Sequence, residues 1–445
     1  MLILNMIYKL FILLSFFIIS QSAFALDARI SHEELENGME VYIIPNHRIP
    51  AVMHMIWYKV GGADDPVGKS GLAHYLEHLM FKGTKKFKDV SATIGEIGGQ
   101  FNAGTSADFT VYYELVQKRD LSLAMEIEAD RMRNLNITDE AAEKERNIVL
   151  EERKMRIDNS PRAILREEME RAFYRSNYGR PVAGLENEIN SLNKSDALSF
   201  YNKYYYPNNA ILVVVGDVDT NKVLSLAKEH YGSVESGPVA KRFPGSEPEH
   251  NANIAVTLDS DGVQEPELFV WYKVPSKVTG KNYLKISLIA DILGGGMSSK
   301  LYEDLVLNKN LAVSISVDYD EMVYNDSAIK VSILPKSGVQ IQEIENALNE
   351  AIANFINKGI SDEELQSAKY RYKANKIYDL DDLTSIAYFY GSNLVLGIPI
   401  ENIDITYKEF DNISVDEINP EISSIFTKAK LVGYLLPKEG ESNAQ

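Results

Sequence analysis

The two tryptophans of this chain sit in the same tetrapeptide, Trp57-Tyr58-Lys59-Val60 and Trp271-Tyr272-Lys273-Val274, 214 residues apart. A second pair of landmarks follows in the same order, Ile137-Thr138-Asp139-Glu140 and Ile360-Ser361-Asp362-Glu363, at an offset of 223. Each half closes on an apolar, strand-like run, 210–218 in the first and 431–436 in the second. Landmarks repeated in order at a near-constant offset predict a duplicated unit of roughly 200 residues, which restricts the chain to two copies of one fold. The joint falls where Gly232, Gly237, Pro238, Pro244, Gly245 and Pro248 cluster among charged residues. Pro and Gly there oppose regular structure, and little apolar surface asks to be buried. The expected organisation is a first domain over 26–236, a linker over 237–250 and a second domain over 251–445.

Within each half, strand and helix patterns interleave. Residues 39–44, 52–60 and 110–116 have the alternation or β-branched and aromatic bias of strands. Residues 121–134, 140–157 and 163–173 carry helical periodicity. Pro207-Asn208-Asn209 is a turn that feeds a buried strand over 210–215. The strict β-α alternation of a doubly wound sheet is missing. The predicted class is therefore α+β: two homologous α/β sandwich domains, each a mixed sheet with helices packed on one face.

Residues 1–25 read as an address. Lys9 is the one charge, an apolar run spans 10–19, and Ala23-Phe24-Ala25 offers a small-residue cleavage site. This predicts a secretory signal peptide, export to a bacterial periplasm, and no stable membrane insertion after cleavage. The run is short for a membrane span of about 20 residues. The chain has no cysteine, which suits an oxidising compartment and removes disulfides, thiolate zinc sites and a cysteine nucleophile. The net charge of −18 argues against nucleic-acid binding and against docking on anionic lipid.

Without cysteine, a metal site must draw on carboxylates and the seven histidines. Two of these stand in His74-Tyr75-Leu76-Glu77-His78, in a helix-forming apolar stretch that begins at Gly68 and Gly71 and ends at Gly83. Positions 74 and 78 are one helical turn apart and share a face, so both imidazoles can bind one Zn²⁺. Glu77 lies on nearly the same face and can take a proton from an attacking water without being a ligand. The order inverts H-E-x-x-H while keeping the three groups. A chance H-x-x-E-H is expected roughly 0.01 times in a chain of this composition. The remaining histidines, His32, His47, His54, His230 and His250, show no ligand spacing and read as structural or solvent-exposed.

Catalytic zinc wants a third protein ligand and an open position. The predicted helix over 140–157 offers Glu145, Glu151 and Glu152. Glu145 and Glu152 are two turns apart on one face, and Glu151 points about 100° away. Spacing alone does not choose among them.

These features resemble the pitrilysin/insulysin family of inverted-motif zinc metallopeptidases, on the branch that includes the mitochondrial processing peptidase and its bacterial relatives. The resemblance rests on S-G-L-A-H-Y-L-E-H-L-M-F-K-G-T (70–84), the run 98–114, E-R-N-I-V-L-E-E (145–152), Y-G-R-P-V-A-G (178–184), Y-Y-x-P-N-N-A (204–210) and G-G-G-M-S-S-K-L-Y (294–302). It implies a zinc endopeptidase whose two domains form a clamshell half-chamber. It implies that His74, His78 and Glu152 bind one Zn²⁺ per chain, with Glu77 as general base and Glu145 as a supporting catalytic carboxylate. It also implies that Phe101, Asn102 and Ala103 form an edge strand on which an extended peptide substrate lies.

The repeat aligns His74 and His78 with Leu288 and Ile292, and Glu145 and Glu152 with Ala368 and Asn375. The second half therefore lacks the ligand set. The family's active single-chain members also carry an arginine and a tyrosine after the glycine-rich run. Here the matching positions are Val306 and Val313. That departure predicts a heterodimer in which a second family subunit supplies the pair, with a homodimer otherwise. The alternative function is a non-catalytic peptide-binding or scaffolding subunit.

Overall fold

A computed structural model describes residues 30–239, 242 and 247–438. The expected signal peptide and part of the expected linker lie outside the described residues. Among the described residues no helix is long and apolar enough to cross a membrane.

The duplication is plain in the strand order. The first sheet takes β1 (Ser31–Glu34), β2 (Glu40–Pro45), β3 (Ala51–Tyr58), β4 (Gln100–Thr105), β5 (Thr110–Gln117) and β6 (Ala210–Gly216) in the order β1-β2-β6-β3-β5-β4. The second takes β7 (Ile254–Ser260), β8 (Glu267–Val274), β9 (Ala312–Tyr319), β10 (Ser327–Pro335) and β11 (Lys430–Pro437) in the order β7-β11-β8-β10-β9. With β1 set aside, each sheet places its last strand between its first and second. In both, one pair is parallel (β2 with β6, β7 with β11) and the others are antiparallel. Trp57 and Trp271 occupy the equivalent central strands β3 and β8.

Alternation along these strands makes two buried faces. On β3, Val52, Ile56 and Tyr58 join a core built with helices of the first half, among them Leu72–Met80, Leu121–Asn134 and Thr220–Tyr231. The predicted packing of each half's own helices on one face is what the structure has. The opposite face, with Met53, Met55 and Trp57, is covered by the helix Leu383–Val395 of the second half. The exchange is reciprocal. Helix Pro161–Phe173 of the first half lays Leu165, Met169 and Phe173 on Phe269, Trp271 and Leu431 of the second sheet. Both exchanged helices are 13 residues long, and each contacts the tryptophan of the other half: Tyr388 at 5.1 Å from Trp57, Phe173 at 5.6 Å from Trp271. Exposing either sheet face would uncover a row of large apolar side chains, at about 25 cal/mol per Å².

Of the residues between the halves, the described Arg242 and Glu247 have partners in both domains. Arg242 pairs with Asp64 and lies over the ring of Tyr324. Glu247 is buried and accepts from the backbone N of Arg175 and the amide of Asn325.

Candidate metal centre

The motif helix Leu72–Met80 starts at Gly71, whose φ of +83° is the left-handed conformation that favours glycine. Its first N–H groups would be unsatisfied. The buried Asp65 takes them, accepting from the backbone N of Gly71, Leu72 and Ala73 at 2.8, 3.1 and 2.9 Å. Burial pushes the Asp65 carboxyl up to about 7, against these hydrogen bonds and the nearby Arg180. The second glycine-rich stretch braces the same point. A Cβ on Gly71 would lie 2.8 Å from Gly184 Cα, so the two chains meet backbone to backbone. Arg180 donates to the carbonyl oxygens of Asp65 and Pro66, and Glu188 accepts from Ser70 N at 2.6 Å.

The helix Asp139–Arg153 begins at Thr138, which caps Ala141 N at 3.1 Å. It is held to the motif helix by Tyr75, whose hydroxyl donates to Ala142 O at 2.7 Å. It is held to the Gly184 region by Arg153, which donates to Gly184 O and pairs with Glu167 at 2.9 Å. These ties bring the two motifs face to face. Glu152 places its two oxygens 3.8 Å from His74 Nε2 and 3.2 Å from His78 Nε2. His74, His78 and Glu152 each offer a ligand atom, all within 4.8 Å of one another. Glu151, the third carboxylate that spacing left open, is exposed and turned away.

These donors fit zinc. Tetrahedral bonds of 2.0–2.1 Å put ligand atoms roughly 3.4 Å apart, inside the spread found here. Burial, helped by the neighbouring His78, pushes the His74 imidazole down to about 4, so it is neutral, the form that ligates, near neutral pH. Glu145 is buried and holds the other ring nitrogen of His78, with Nδ1 at 3.4 Å, while its second oxygen pairs with Lys82 at 2.6 Å. A carboxylate on the far side of an imidazole fixes its orientation and raises its basicity. Glu77 stands beside the donors without joining them. Its carboxylate accepts from the Thr105 hydroxyl at 2.5 Å, and burial raises its pKa against that hydrogen bond and His78.

Thr105 ends β4, the outer strand of the first sheet. One cavity of about 750 Å³ is lined by His74, Glu77, His78, Asn102, Ala103 and Glu152, together with Glu145 and Arg156. Of the strand residues singled out from the sequence, Asn102 and Ala103 face this cavity. Phe101 instead packs its ring at 4.8 Å from Phe81 and 4.9 Å from the Arg131 guanidinium. The outward N–H of Ala103 is met by the side-chain oxygen of Asn102 at 2.9 Å. Sequence reasoning missed Thr105, Lys82 and Arg156, which pairs with Glu152 at 2.7 Å. Thr105 sits in the quoted run 98–114, two residues past Ala103, so strand alternation was the available signal.

The five other histidines lie elsewhere. His54, fully buried, bonds Glu114 at 2.6 Å and Tyr231 at 3.0 Å; His250 bonds Phe173 O at 2.8 Å. In the second half, Leu288 and Ile292 are buried apolar residues, and Asp291 pairs with Arg371 at 2.6 Å. Val306 is half-buried on the second core, and Val313 is exposed on β9.

Fold and site together define a duplicated α/β architecture with a set of metal-ligand-type donors gathered in its first half. The chain belongs to the M16 family of peptidases. Residues 41–186 match the family model described as insulinase (peptidase family M16), and residues 191–372 match the one described as peptidase M16 inactive domain. The chain is 30% identical over 392 residues to the zinc protease PqqE of Helicobacter pylori, covering 86% of this chain and 87% of that one. The crystal structure of a protease from Helicobacter pylori superposes with a TM-score of 0.86 at 27% identity, over 92% of this chain and 100% of that one. The first half of the periplasmic protease PqqL from Escherichia coli shares the fold, with a TM-score of 0.79 at 20% identity, over 93% of each chain.

Proposed function

We propose that this chain is a zinc-dependent endopeptidase that hydrolyses peptides or unfolded protein segments in an enclosed chamber, with one Zn²⁺ held by His74, His78 and Glu152. The observation that carries the reading is the convergence of these three donors, Glu77 and the free edge of β4 on one cavity. When bound, zinc supplies Lewis-acid polarisation of the scissile carbonyl and acidifies the attacking water. Glu77 takes the proton of that water and returns it to the leaving amine, and a pKa raised by burial suits it to both steps. Thr105 fixes the rotamer of Glu77. The edge of β4 at Asn102 and Ala103 takes an extended peptide by strand addition, the Asn102 amide giving up the Ala103 N–H. Phe101 supports that edge from beneath.

The domains run 26–236 and 251–445 around the 237–250 linker, behind a cleaved leader at 1–25 that exports the protein to the periplasm. Val306 and Val313 support action as the zinc-bearing subunit of a heterodimer, its partner bringing the missing arginine and tyrosine. The same two valines favour the second reading, a subunit that binds peptides without cutting them. The test is zinc content and cleavage of an unfolded protein by the purified chain, with and without a second family subunit, for wild type and Glu77→Gln. The peptidase reading expects one zinc per chain and cleavage lost in Glu77→Gln. A zinc-loaded chain that never cuts, with or without partner, establishes the binding reading. Full turnover by the chain alone removes the heterodimer.

A further inference from the structure

A second cavity, of about 840 Å³, is lined by both exchanged helices, and it shares no lining residue with the cavity at the candidate metal centre. Its volume falls within the range of sites that hold small ligands. The helix Pro161–Phe173 and the adjoining Tyr174 form one wall; Thr384 and Tyr388 of the helix Leu383–Val395 form another. Phe109 and Phe389 add aromatic surface.

The charges in this cavity are answered, with one cationic exception. Asp108 takes the Tyr178 hydroxyl, Tyr324 N and Arg242. Glu170 pairs with Arg166 at 3.3 Å, Glu321 accepts from Ser287 at 2.8 Å, and Asp320 accepts from the backbone N of Met322 at 3.0 Å. Arg180 is spent on two carbonyls. Lys330 has no hydrogen bond or ion pair among the described residues. It stands on β10 opposite Trp271, its ammonium 4.7 Å from the indole centroid. Burial lowers its pKa, partly offset by Glu170, Asp320 and Asp318. The Tyr174 hydroxyl is likewise a donor without a partner among the described residues. Two open donors in an aromatic-walled cavity ask for an anionic acceptor on an apolar body.

We propose that this cavity is a second binding site, for short peptides with an aromatic or aliphatic last residue, held by their free C-terminal carboxylate on Lys330 and Tyr174. Such a peptide is the chemical form of the N-terminal fragment released by an endopeptidase. That link to product rests on the peptidase reading; the site itself does not. A ligand here touches residues of both halves and so ties them together.

The chain carries its own reporter. Trp57 packs at 4.9 Å from Phe109 and 5.1 Å from Tyr388, and Trp271 underlies Lys330, so both tryptophans contact cavity-lining residues. The experiment titrates full-length protein with N-acetyl-Leu-Phe and with its C-terminal amide, following tryptophan emission. The expected result is a saturable change for the acid and binding about tenfold weaker or worse for the amide, the loss of one charge-assisted pair. Lys330→Met should weaken the acid to the level of the amide, and Lys330→Arg should keep much of the response. Glu77→Gln should titrate like wild type, which separates this site from the metal centre whether or not that centre cuts peptides. Equal responses to acid and amide, or none at millimolar peptide, overturn the proposal. The acid–amide comparison needs only wild-type protein, so it stands even where Lys330→Met fails to fold.

Discussion

Gly391 and Trp57 meet where no side chain fits between them: a Cβ on Gly391 would lie 2.2 Å from Trp57 Cε2. Gly391 sits inside the exchanged helix Leu383–Val395, where alanine would ordinarily be favoured by about 1 kcal/mol. Here the indole is fully buried and cannot retreat. Overpacking at such a contact costs about 1–3 kcal/mol, so it outweighs the propensity gain. Gly391→Ala is expected to lower the urea midpoint and change Trp57 emission. Zinc stoichiometry should hold, because the motif helix packs on the other face of the sheet. An unchanged or raised midpoint would show that the exchanged helix is not tightly seated.

Glu145 reaches His78 and Lys82 but stands behind the ligand set rather than in it. Glu145→Gln keeps the shape and removes the charge that orients the imidazole. The expected effect is zinc affinity weaker by about 10–100-fold, read by chelator competition. His78→Ala should lose the metal altogether. Wild-type affinity in Glu145→Gln would reduce Glu145 to a partner for Lys82.

Much of this is legible in the sequence. The paired Trp-Tyr-Lys-Val segments marked the duplication, and the structure puts their tryptophans on the equivalent strands β3 and β8. The His74/Glu77/His78 spacing was sufficient because a helix fixes the geometry of positions 74 and 78 locally. The choice of Glu152 over Glu151 was not available from spacing, since it depends on how two helices face each other across Tyr75 and Ala142. The helix exchange was hidden for the same reason. Helix periodicity reports that one face is buried, not which sheet buries it, and the partners Tyr388 and Trp57 are far apart in sequence. Asp65 gave no signal, because its role exists only where the loop folds back over the motif helix.

Gly68 and Gly71 share a left-handed backbone, with φ of +81° and +83°, yet only one has a crowded neighbour. A Cβ at Gly68 meets nothing, whereas at Gly71 it meets Gly184. Gly68→Ala should therefore cost only the conformational term, about 1–2 kcal/mol. Gly71→Ala should cost clearly more and weaken zinc binding, because it moves the start of the motif helix. Thermal midpoints and zinc affinities of the two variants make the comparison. Equal losses would mean that the Gly71–Gly184 contact gives way easily.

Asp65 makes the folding of the motif helix depend on pH. Its carboxyl titrates at about 7 in the native state, against an ordinary value of 3.8, because burial disfavours the charge more than the three N–H donors favour it. A native pKa above the unfolded one means the native state holds the proton more tightly. The contribution of this group is therefore complete below about pH 4, declines as pH rises, and is gone above about pH 7. Asp65→Asn cannot titrate, although its amide still accepts at the helix start. The unfolding free energy of wild type minus that of Asp65→Asn should fall steadily over this interval and then level off. The measurement is urea unfolding of both proteins across the range, where the subtraction cancels every other titrating group. A difference that instead grows with pH would show that the N–H groups of Gly71, Leu72 and Ala73 hold Asp65 ionised, with the capping charge outweighing its burial.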